Sequence, residues 1–454
     1  MSNPTVQTFR EAPSSYHRGA SLGHVHLGRH RRPALRMTAL YIWVLVFSMA
    51  ALQDIIPFYQ SLRLRELTTL VLLVGFLTSR SSTRQAGLRF SYALFVCYVF
   101  ITAARSISYD IVDAGYLSFH VVQYSLLLLA VPTFARDWKQ ARAFLAFVLL
   151  VCVIGALIAP LQEVLGFFSW LDPEWALQHG RAGFARYQSL FGDPNIAGMI
   201  GGLLPFFLFT LDASRGRSKM KYILTEVAVW SMSVLLVAYS LSFTGILLFT
   251  ASIVIRISMQ GRKLLSVLEI CLIAALMWIV FPAEIQLRIV GTIRRFFQPA
   301  ALAAYSSTTT HLESDVAWRL LEYWDLNDTA IKVLFGSTYD VVTPARYFHP
   351  SAILAHSGYK EMYLAGGLLG LGFFLVLLLP VAWKALRFIF SSKSLTEPLR
   401  GISLTASWMY LLLLGVMLGF PLYHYNGIGI LFWCVAGVIH VLYDTAVAIR
   451  KNPI

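Results

Sequence analysis

The chain has 454 residues, of which 57% are hydrophobic and only 13% are charged. A soluble globular protein has roughly twice that charged fraction, about 25%, so the composition excludes a soluble enzyme or a soluble binding module. The formal net charge of +14 is concentrated in short loops between apolar runs, which indicates the anionic inner leaflet of a membrane, and not nucleic acid, as the partner of the basic side chains.

The first 36 residues are polar and basic and show no apolar periodicity. We expect a disordered cytoplasmic tail over residues 1–36 that lies against anionic lipid. A metal-binding role for its four histidines is the alternative. The first apolar run follows this polar segment and is expected to be a membrane anchor, with no cleavable signal peptide.

Apolar runs suited to crossing the ~30 Å hydrocarbon layer as helices recur along the whole chain. We predict twelve of them, near 38–53, 67–79, 91–104, 118–134, 143–160, 196–211, 222–238, 241–255, 265–281, 363–382, 402–420 and 427–447. The predicted fold class is therefore an all-α polytopic membrane protein. Transmembrane helices 1–9 fall within residues 37–282, a large helical extracytoplasmic loop covers 283–358, and transmembrane helices 10–12 fall within 359–454.

Lysine and arginine are distributed unequally over the predicted loops. With twelve spans both termini share a side, and 25 of the 37 basic residues lie in the tails and loops of that side. The positive-inside rule makes this side cytoplasmic, so the loops 161–194 and 283–358 are extracytoplasmic. All four cysteines fall in apolar runs, so we expect no extracytoplasmic disulfide and no thiolate metal site.

The outer loop 161–194 ends in two arginines and a helix-start signal. Arg181 and Arg186 precede Asp193, a good N-cap residue, and Pro194, which suits the first position of a helix. The free N–H groups and the positive dipole end of the sixth span would then favour an anion close in sequence to both arginines.

The second outer loop, 283–358, contains most of the remaining outer cations. Its basic amphipathic beginning holds Arg288, Arg294 and Arg295. A capping-box pattern at Thr310 predicts a helix that continues to about Val333. Arg319 lies on the polar face of that helix, where an ion pair with Asp315 one turn earlier is the structural alternative to a binding role.

His356 directly precedes the tenth apolar run, and Ser357 is the predicted N-cap. The positive dipole end of a helix disfavours imidazolium, so the ring stays neutral near pH 7 and can accept a proton. The alternative is an interfacial histidine that is hydrogen-bonded to backbone. A second outer histidine, His424, lies between two tyrosines and is assigned to the interfacial aromatic belt.

These residues resemble a family pattern. His356-Ser357, then nine residues, then Gly367-Leu-Leu-Gly resembles the signature of bacterial O-antigen ligases. The order Arg319, Trp324, Gly336 is similar to the outer-loop pattern shared by those ligases and the Wzy-type O-antigen and exopolysaccharide polymerases. The resemblance covers about residues 180–375. It includes Arg186, which precedes the Gly-Asp-Pro-Asn run at 192–195. One departure is Phe243, where many members have arginine.

The resemblance implies an architecture like that of GT-C glycosyltransferases and a donor glycan that is joined through pyrophosphate to a polyprenyl lipid. It implies His356 as the catalytic base and Arg319 and Arg186 as pyrophosphate ligands. Further candidates for binding the pyrophosphate are Arg181, Arg288, Arg294 and Arg295. We expect the transfer to be metal-independent and to need no cofactor, because neither outer loop has an Asp-x-Asp pair or carboxylates at metal-ligand spacing.

The favoured activity is polymerisation of O-antigen or exopolysaccharide repeat units at the periplasmic face of the bacterial inner membrane. The alternative within the family is an O-antigen ligase that transfers the glycan to the lipid A-core. The expected partners are the lipid-linked donor, the glycan or lipid A-core acceptor, the bilayer, and chain-length regulator and flippase proteins. No nucleic acid is expected.

A lipid-linked glycan flippase or another transporter is the alternative of a different class, and a membrane scaffold is a third possibility. A transporter would favour ionisable residues near the bilayer midplane. Here Glu226 and Glu269 are predicted to extend from their spans to the cytoplasmic surface, and His120 and His440 are predicted to be isolated. These few residues favour the enzyme.

Overall fold

The computed structural model describes these parts of the chain: residues 27–48, 64–77, 85–105, 111–135, 137–165, 189–191, 194–212, 219–240, 242–259, 329–337, 357–420, 422 and 427–451, with single positions at 271, 275, 286, 287 and 290. No strand occurs among these residues. The protein is all-helical over the part that the structure describes, as predicted.

Fourteen α-helices are numbered here in chain order. The first seven are α1 Leu27–Ser48, α2 Leu64–Leu77, α3 Ala86–Arg105, α4 Ile111–Ser125, α5 Leu127–Phe134, α6 Trp138–Leu165 and α7 Pro194–Leu203. The others are α8 Leu208–Asp212, α9 Lys219–Ser240, α10 Phe243–Met259, α11 Ala330–Phe335, α12 Gly358–Phe390, α13 Glu397–Val416 and α14 Ile428–Lys451. Short 3₁₀ turns at Leu204–Phe207 and Ser392–Ser394 lie between them.

Six of the described helices are long and apolar enough to cross a membrane. They are Ala86–Arg105, Trp138–Ile158, Met220–Ser240, Gly358–Phe390, Glu397–Val416 and Ile428–Ile449. Four shorter apolar stretches, 36–48, 118–134, 195–210 and 244–259, coincide with further predicted runs. The chain is thus a helical membrane protein, while the count of twelve spans stays a prediction, because the second run forms a helix of only 14 residues and the ninth lies almost wholly outside the described residues.

One predicted span is interrupted for a local reason. The fourth continues from α4 into α5, because Leu126 between them has helical backbone (φ −57°, ψ −27°), its N–H donates to the Val122 carbonyl, and its carbonyl accepts from the Ala130 N–H. The sixth begins at Pro194 as predicted, but it changes to a 3₁₀ turn at Leu204–Phe207, where Pro205 is at the start of the turn and cannot donate a backbone hydrogen bond.

The first helix begins earlier than the sequence indicated. α1 begins at Leu27, so residues 27–36 of the predicted disordered tail are helical, and that part of the prediction is wrong. Arginine is a good helix former. A helix that extends beyond the hydrocarbon layer can be basic and needs no apolar periodicity. The absence of apolar periodicity before residue 37 therefore does not mark the start of the helix. Residues 1–26 lie outside the described part.

The predicted helix from Thr310 to Val333 is not continuous. Thr329 has extended backbone (φ −112°, ψ 150°), and its hydroxyl accepts a hydrogen bond from the Lys332 N–H at 3.3 Å, so α11 begins at Ala330. Asn327, Asp328 and Thr329 are consecutive residues with N-cap preference, which explains a new start here. The part of the predicted helix before Thr329 lies outside the described residues.

The prediction that His440 is isolated is wrong, because its Nδ1 lies 2.7 Å from the Lys384 Nζ. The Glu226 side chain is 13% exposed, and its Oε1 lies 3.2 Å from Nη2 of Arg256, whose side chain is 2% exposed. The His120 ring lies beside Tyr124, with 6.2 Å between ring centroids. The interpretations of Glu226 and His120 stay predictions. Glu269 lies outside the described residues.

The central helix of the bundle is α14, which packs against α5, α6, α12 and α13. Of the apolar stretch within Ile428–Ile449 of this helix, 78% is buried inside the protein. Trp433 and Phe432 on α14 contact each other edge to face, and they pack against Phe374 of α12 and Tyr410 of α13. A second group forms around α7, which packs against α6, α9 and α10.

Helix α7 approaches its neighbours through small residues. A Cβ at Gly198 would lie 2.7 Å from the Cβ of Ser242, and a Cβ at Gly245 would lie 2.7 Å from the Gly198 carbonyl carbon. Such close backbone approach is typical of membrane helices that associate through small residues. It fixes the start of α7 beside the start of α10.

Candidate functional site

All seven residues predicted for the site lie outside the described residues: His356, Arg319, Arg186, Arg181, Arg288, Arg294 and Arg295. Their roles stay predictions. The structure does describe segments that follow three of these positions in the sequence, three residues after Arg186, ten residues after Arg319 and one residue after His356. These segments are 189–191, 329–337 and the start of α12, and all of them lie at one end of the bundle, the end predicted to be periplasmic.

The start of α12 is capped as predicted. Ser357 has extended backbone (φ −135°, ψ 128°), and its hydroxyl accepts a hydrogen bond from the Lys360 N–H at 3.4 Å. Because His356 is bonded to this cap residue, the helix begins within two residues of the predicted base. The N-terminal N–H groups and positive dipole end of α12 are therefore at the position that the sequence indicated.

The first turn of α12 is joined to the last turn of α13. The Ser357 hydroxyl and the Gly358 N–H both donate to the Met417 carbonyl, at 3.2 Å and 2.9 Å. The Tyr359 hydroxyl donates to the Leu414 carbonyl at 3.0 Å. The last carbonyls of a helix have no partner within it, so the end of α13 supplies acceptors that hold the segment following His356 in place.

Helix α12 is broken at Gly367. This residue has φ 63° and ψ −160°, so the helix consists of a short outer part, 358–366, and a long part, 368–390. Only glycine adopts this backbone region readily. The carbonyls before the break accept hydrogen bonds from elsewhere: the Ser337 N–H donates to Leu364 at 2.7 Å, and the Tyr98 hydroxyl donates to Gly366.

The outer-loop segment 329–337 packs directly into this break. A Cβ at Gly336 (φ 76°) would lie 2.5 Å from the Gly367 nitrogen, and a Cβ at Gly367 would lie 2.5 Å from the Gly336 nitrogen. Two glycines of the family-like pattern, separated by thirty residues, are thus in backbone contact. The loop that follows Arg319 and the helix that follows His356 form one packed unit at this point.

Arg105, at the end of α3, binds the same loop segment. Its Nη1 donates to the Phe335 carbonyl at 2.7 Å and its Nη2 to the Gly336 carbonyl at 3.2 Å. Its guanidinium also lies 5.7 Å from the centroid of the Phe335 ring. The planar fork of arginine suits two adjacent carbonyls, so Arg105 and Tyr98 together hold segment 329–337 against α12.

Sequence reasoning missed Arg105, Tyr98 and Glu361. Glu361 lies one turn into α12 and is 5% exposed. A carboxylate buried in a membrane protein is costly and is often functional. One signal was available for Arg105. It lies at the end of the third predicted span, on the side predicted to be extracytoplasmic, where the positive-inside rule disfavours basic residues.

The end of loop 161–194 is held by α6 and α14. The Leu190 N–H donates to the Gly155 carbonyl at 3.1 Å, and the Phe191 ring lies against Gly155 and Gly427, where a Cβ at either position would overlap it. The Phe191 N–H donates to the Ser189 hydroxyl at 3.3 Å. The segment that follows Arg186 is therefore fixed at the same end of the bundle as the start of α12.

Helices α7, α10, α12 and α14 are among those that begin at this end, and α3, α6 and α13 end there. At the start of α10, the Ser242 hydroxyl accepts a hydrogen bond from the Gly245 N–H at 3.2 Å. Each N-terminus contributes a partial positive charge and N–H groups that favour an anion.

No group of three or more His, Cys, Asp or Glu side chains that could hold a metal ion occurs among the described residues. The outer-loop carboxylates Asp193, Glu313, Asp315 and Asp340 lie outside them. Metal independence therefore stays a prediction.

Comparison with models of known protein families gives no match for this chain, and comparison with curated protein sequences gives none. The family resemblance depends on the motif residues named above.

Proposed function

We propose that this protein is a glycosyltransferase of the bacterial inner membrane. In this proposal it transfers a glycan from polyprenyl pyrophosphate to an acceptor hydroxyl on the periplasmic face, and it polymerises O-antigen or exopolysaccharide repeat units. The observation that supports it best is the backbone contact between Gly336 and Gly367. Residues that belong to one functional pattern should meet in space although they are distant in sequence, and these two do.

The proposed reaction is a single displacement. His356 accepts the proton of the acceptor hydroxyl as its oxygen attacks the anomeric carbon of the donor. The bond between that carbon and the pyrophosphate oxygen breaks, and polyprenyl pyrophosphate leaves with the electron pair. Arg319 and Arg186 stabilise its charge through bidentate hydrogen bonds. One displacement inverts the configuration of the anomeric carbon.

Two described features support an anionic donor at this end of the protein. The N-termini of α7, α10, α12 and α14 bring partial positive charges and free N–H groups to it. The described segments that follow Arg186, Arg319 and His356 in the sequence are each held there by backbone hydrogen bonds, through Leu190, Ser337 and Gly358. Fixed positions for the phosphate ligands would lower the reorganisation needed in the transition state.

The test is glycan analysis of a deletion strain that carries the wild-type gene, His356→Ala or His424→Ala. His424 is the matched control, because it is the other histidine predicted at the outer surface and has no proposed role in transfer. We expect the His356→Ala strain to lose long glycan chains while single repeat units still reach their acceptor, and the His424→Ala strain to retain the wild-type ladder. Wild-type ladders from a folded His356→Ala protein would exclude the proposed base.

The same experiment separates the polymerase from the ligase. A ligase variant would accumulate long lipid-linked chains that are not attached to the lipid A-core. With that result the protein would still be a glycosyltransferase, but its acceptor would be the lipid A-core and not another repeat unit.

A transporter is the second candidate, and the two intramembrane pairs favour it. Glu226 with Arg256 and Lys384 with His440 are ionisable groups of the kind that transporters place within the membrane. Both pairs, however, lie at the end of the bundle opposite to the candidate site, and a transporter's substrate site lies near the midplane. Purified protein in detergent has no membrane to transport across, so product formation from a lipid-linked donor would exclude pure transport.

A further inference from the structure

A cavity of about 210 Å³ lies between α3, α5, α12 and α14, at the end of the bundle predicted to be cytoplasmic. We call it the inner cavity. Its polar lining consists of Gln85, Ser91, Lys384, His440 and Asp444. A single water molecule needs only about 10–15 Å³ of cavity volume, so the inner cavity has room for a much larger polar group.

The His440 ring leaves a buried donor at the inner cavity. The Lys384 ammonium can only donate, so the Nδ1 of His440, 2.7 Å from the lysine Nζ, is the acceptor. A neutral ring then has its proton on Nε2. His440 is 7% exposed, and none of the described residues supplies a hydrogen-bond partner for Nε2. Because an unpaired buried donor is costly, this atom indicates an acceptor that the described chain does not provide.

A backbone acceptor borders the same space. Pro380 lies inside α12 and has no N–H, so the Val376 carbonyl one turn earlier has no partner within the helix. Both Val376 and Pro380 line the inner cavity. On the opposite wall, the Gln85 side chain is fixed, since its Nε2 donates to the Pro132 carbonyl at 2.8 Å.

The charges that line the inner cavity are balanced. Lys384 supplies one positive charge and Asp444 one negative charge. Arg387, three residues after Lys384, is exposed, and it donates to the Tyr443 hydroxyl at 2.7 Å. A ligand with one anionic and one cationic group complements this lining better than a simple anion.

The surface beside the inner cavity is apolar and exposed. Phe90, Val376 and Leu379 are 67%, 49% and 59% exposed. In a membrane-spanning helix such side chains face lipid. A ligand that occupied the inner cavity with its polar group could therefore lay acyl chains along this surface.

We propose that the inner cavity binds the headgroup of a zwitterionic phospholipid with a primary ammonium, of the phosphoethanolamine type. The phosphate accepts hydrogen bonds from Lys384 and from Nε2 of His440. The ammonium donates to the Asp444 carboxylate and to the Val376 carbonyl. Basic pockets between membrane helices on the cytoplasmic side are suited to lipid headgroups, and the carboxylate adds the preference for the ammonium. This site does not depend on the proposed transfer reaction.

The test measures lipid binding to the purified full chain by native mass spectrometry after delipidation. Phosphatidylethanolamine is compared with phosphatidylglycerol, which lacks the ammonium, and with phosphatidylcholine, whose quaternary ammonium cannot donate a hydrogen bond. We expect the wild-type protein to bind phosphatidylethanolamine about tenfold more tightly than either of the others, because a hydrogen bond to a charged group is worth that factor or more.

Two variants probe the two ends of the headgroup. Lys384→Ala and Asp444→Asn are each expected to weaken phosphatidylethanolamine binding about tenfold, and Asp444→Asn also removes the preference over phosphatidylcholine. Lys393→Ala is the matched control, because Lys393 is an exposed lysine at the same end of the bundle that does not line the inner cavity. Asp444→Asn keeps the side-chain shape, so it tests the proposal even if Lys384→Ala fails to fold.

Equal binding of the three lipids would overturn the proposal, and so would equal binding by Asp444→Asn and the wild-type protein. Displacement of the lipid by excess inorganic phosphate would also overturn it and would indicate a phosphate-ion site.

Discussion

At the scale of single residues, the glycine at the break of α12 decides whether the outer loop can pack there. We expect Gly367→Ala to lower the free energy of unfolding by at least about 1–3 kcal/mol, because the residue has a conformation that alanine avoids and its Cβ would overlap the Gly336 backbone. Transfer activity should fall with it, since the loop would no longer fit. Thermal unfolding of the purified variant in detergent measures the change.

Gly372→Ala is the matched control, five residues further along the same helix. A Cβ at Gly372 would meet no atom within 4 Å, and alanine is the better helix former by up to about 1 kcal/mol. We expect this variant to be as stable as the wild-type protein or slightly more stable. Equal unfolding temperatures for the two variants would mean that neither the backbone conformation of Gly367 nor its contact with Gly336 requires glycine at this position.

Arg105 is a positioning residue for the same loop, and its role can be measured without an activity assay. Loss of its two hydrogen bonds to the Phe335 and Gly336 carbonyls should destabilise the packed loop by roughly 1.5–3 kcal/mol. In Arg105→Ala we therefore expect the Ser337 amide, which donates to the Leu364 carbonyl, to exchange hydrogen about tenfold faster or more.

Arg400→Ala provides the comparison for Arg105, because Arg400 is partly exposed at the opposite end of the bundle and pairs with Glu397 at 3.0 Å. Exchange at Ser337 should not change in that variant. Unchanged exchange in Arg105→Ala as well would remove Arg105 from the group that holds the loop.

At the scale of elements, α9 and α10 are joined by a buried ion pair that the sequence did not indicate. Arg256 is 2% exposed; its Nη2 lies 3.2 Å from Glu226 and 3.1 Å from the Tyr222 hydroxyl. Removing one member of such a pair leaves a buried charge and costs about 3–5 kcal/mol. We expect Glu226→Gln to destabilise the protein by about this amount, and Glu226→Gln with Arg256→Met to recover much of it.

The exposed pair of Arg400 and Glu397 is the reference for the effect of Glu226→Gln on stability. Their side chains are 31% and 63% exposed, and an exposed pair contributes only about 0–1 kcal/mol. Glu397→Gln should therefore unfold within a few degrees of the wild-type protein. A Glu226→Gln variant that is equally stable would show that Arg256 is solvated in the folded protein.

The elements that could be predicted from the sequence are those with local signals. Pro194 and Ser357 mark helix starts because a proline or a capping hydroxyl acts within one turn. The helix start at Thr329 was missed although its signal was also local, since the capping box at Thr310 was preferred. The break at Gly367 could not be predicted, because it depends on contact with Gly336, which lies 31 residues earlier in the sequence.

The same distinction applies to the candidate site. The glycines of the family-like pattern were identified from the sequence, and their contact agrees with the resemblance without testing the activity. Tyr98 and Arg105 have no motif around them. Their role follows from contacts across more than two hundred residues, which only the folded chain reveals.

At the scale of the whole molecule, the described contacts divide the helix ends into two groups. Segments near Gly336, Ser357, Met417 and Gly427 lie at one end of the bundle, and Arg256, Lys384 and Arg400 belong to the other. The basic residues of the second group are part of the bias that predicts a cytoplasmic face. The bundle thus has one end formed by the segments that follow the candidate site residues and another that carries arginine and lysine side chains of the predicted cytoplasmic loops.

Labelling with a membrane-impermeant maleimide decides which end faces the periplasm. Ala330→Cys, in the exposed loop helix α11, and Lys393→Cys, in the turn between α12 and α13, place one exposed thiol at each end. In intact spheroplasts we expect Ala330→Cys to react and Lys393→Cys to react only after permeabilisation. The wild-type chain serves as the blank, because its four cysteines lie in apolar runs. Labelling of Lys393→Cys alone in intact cells would place the candidate site in the cytoplasm, where the proposed periplasmic transfer could not occur.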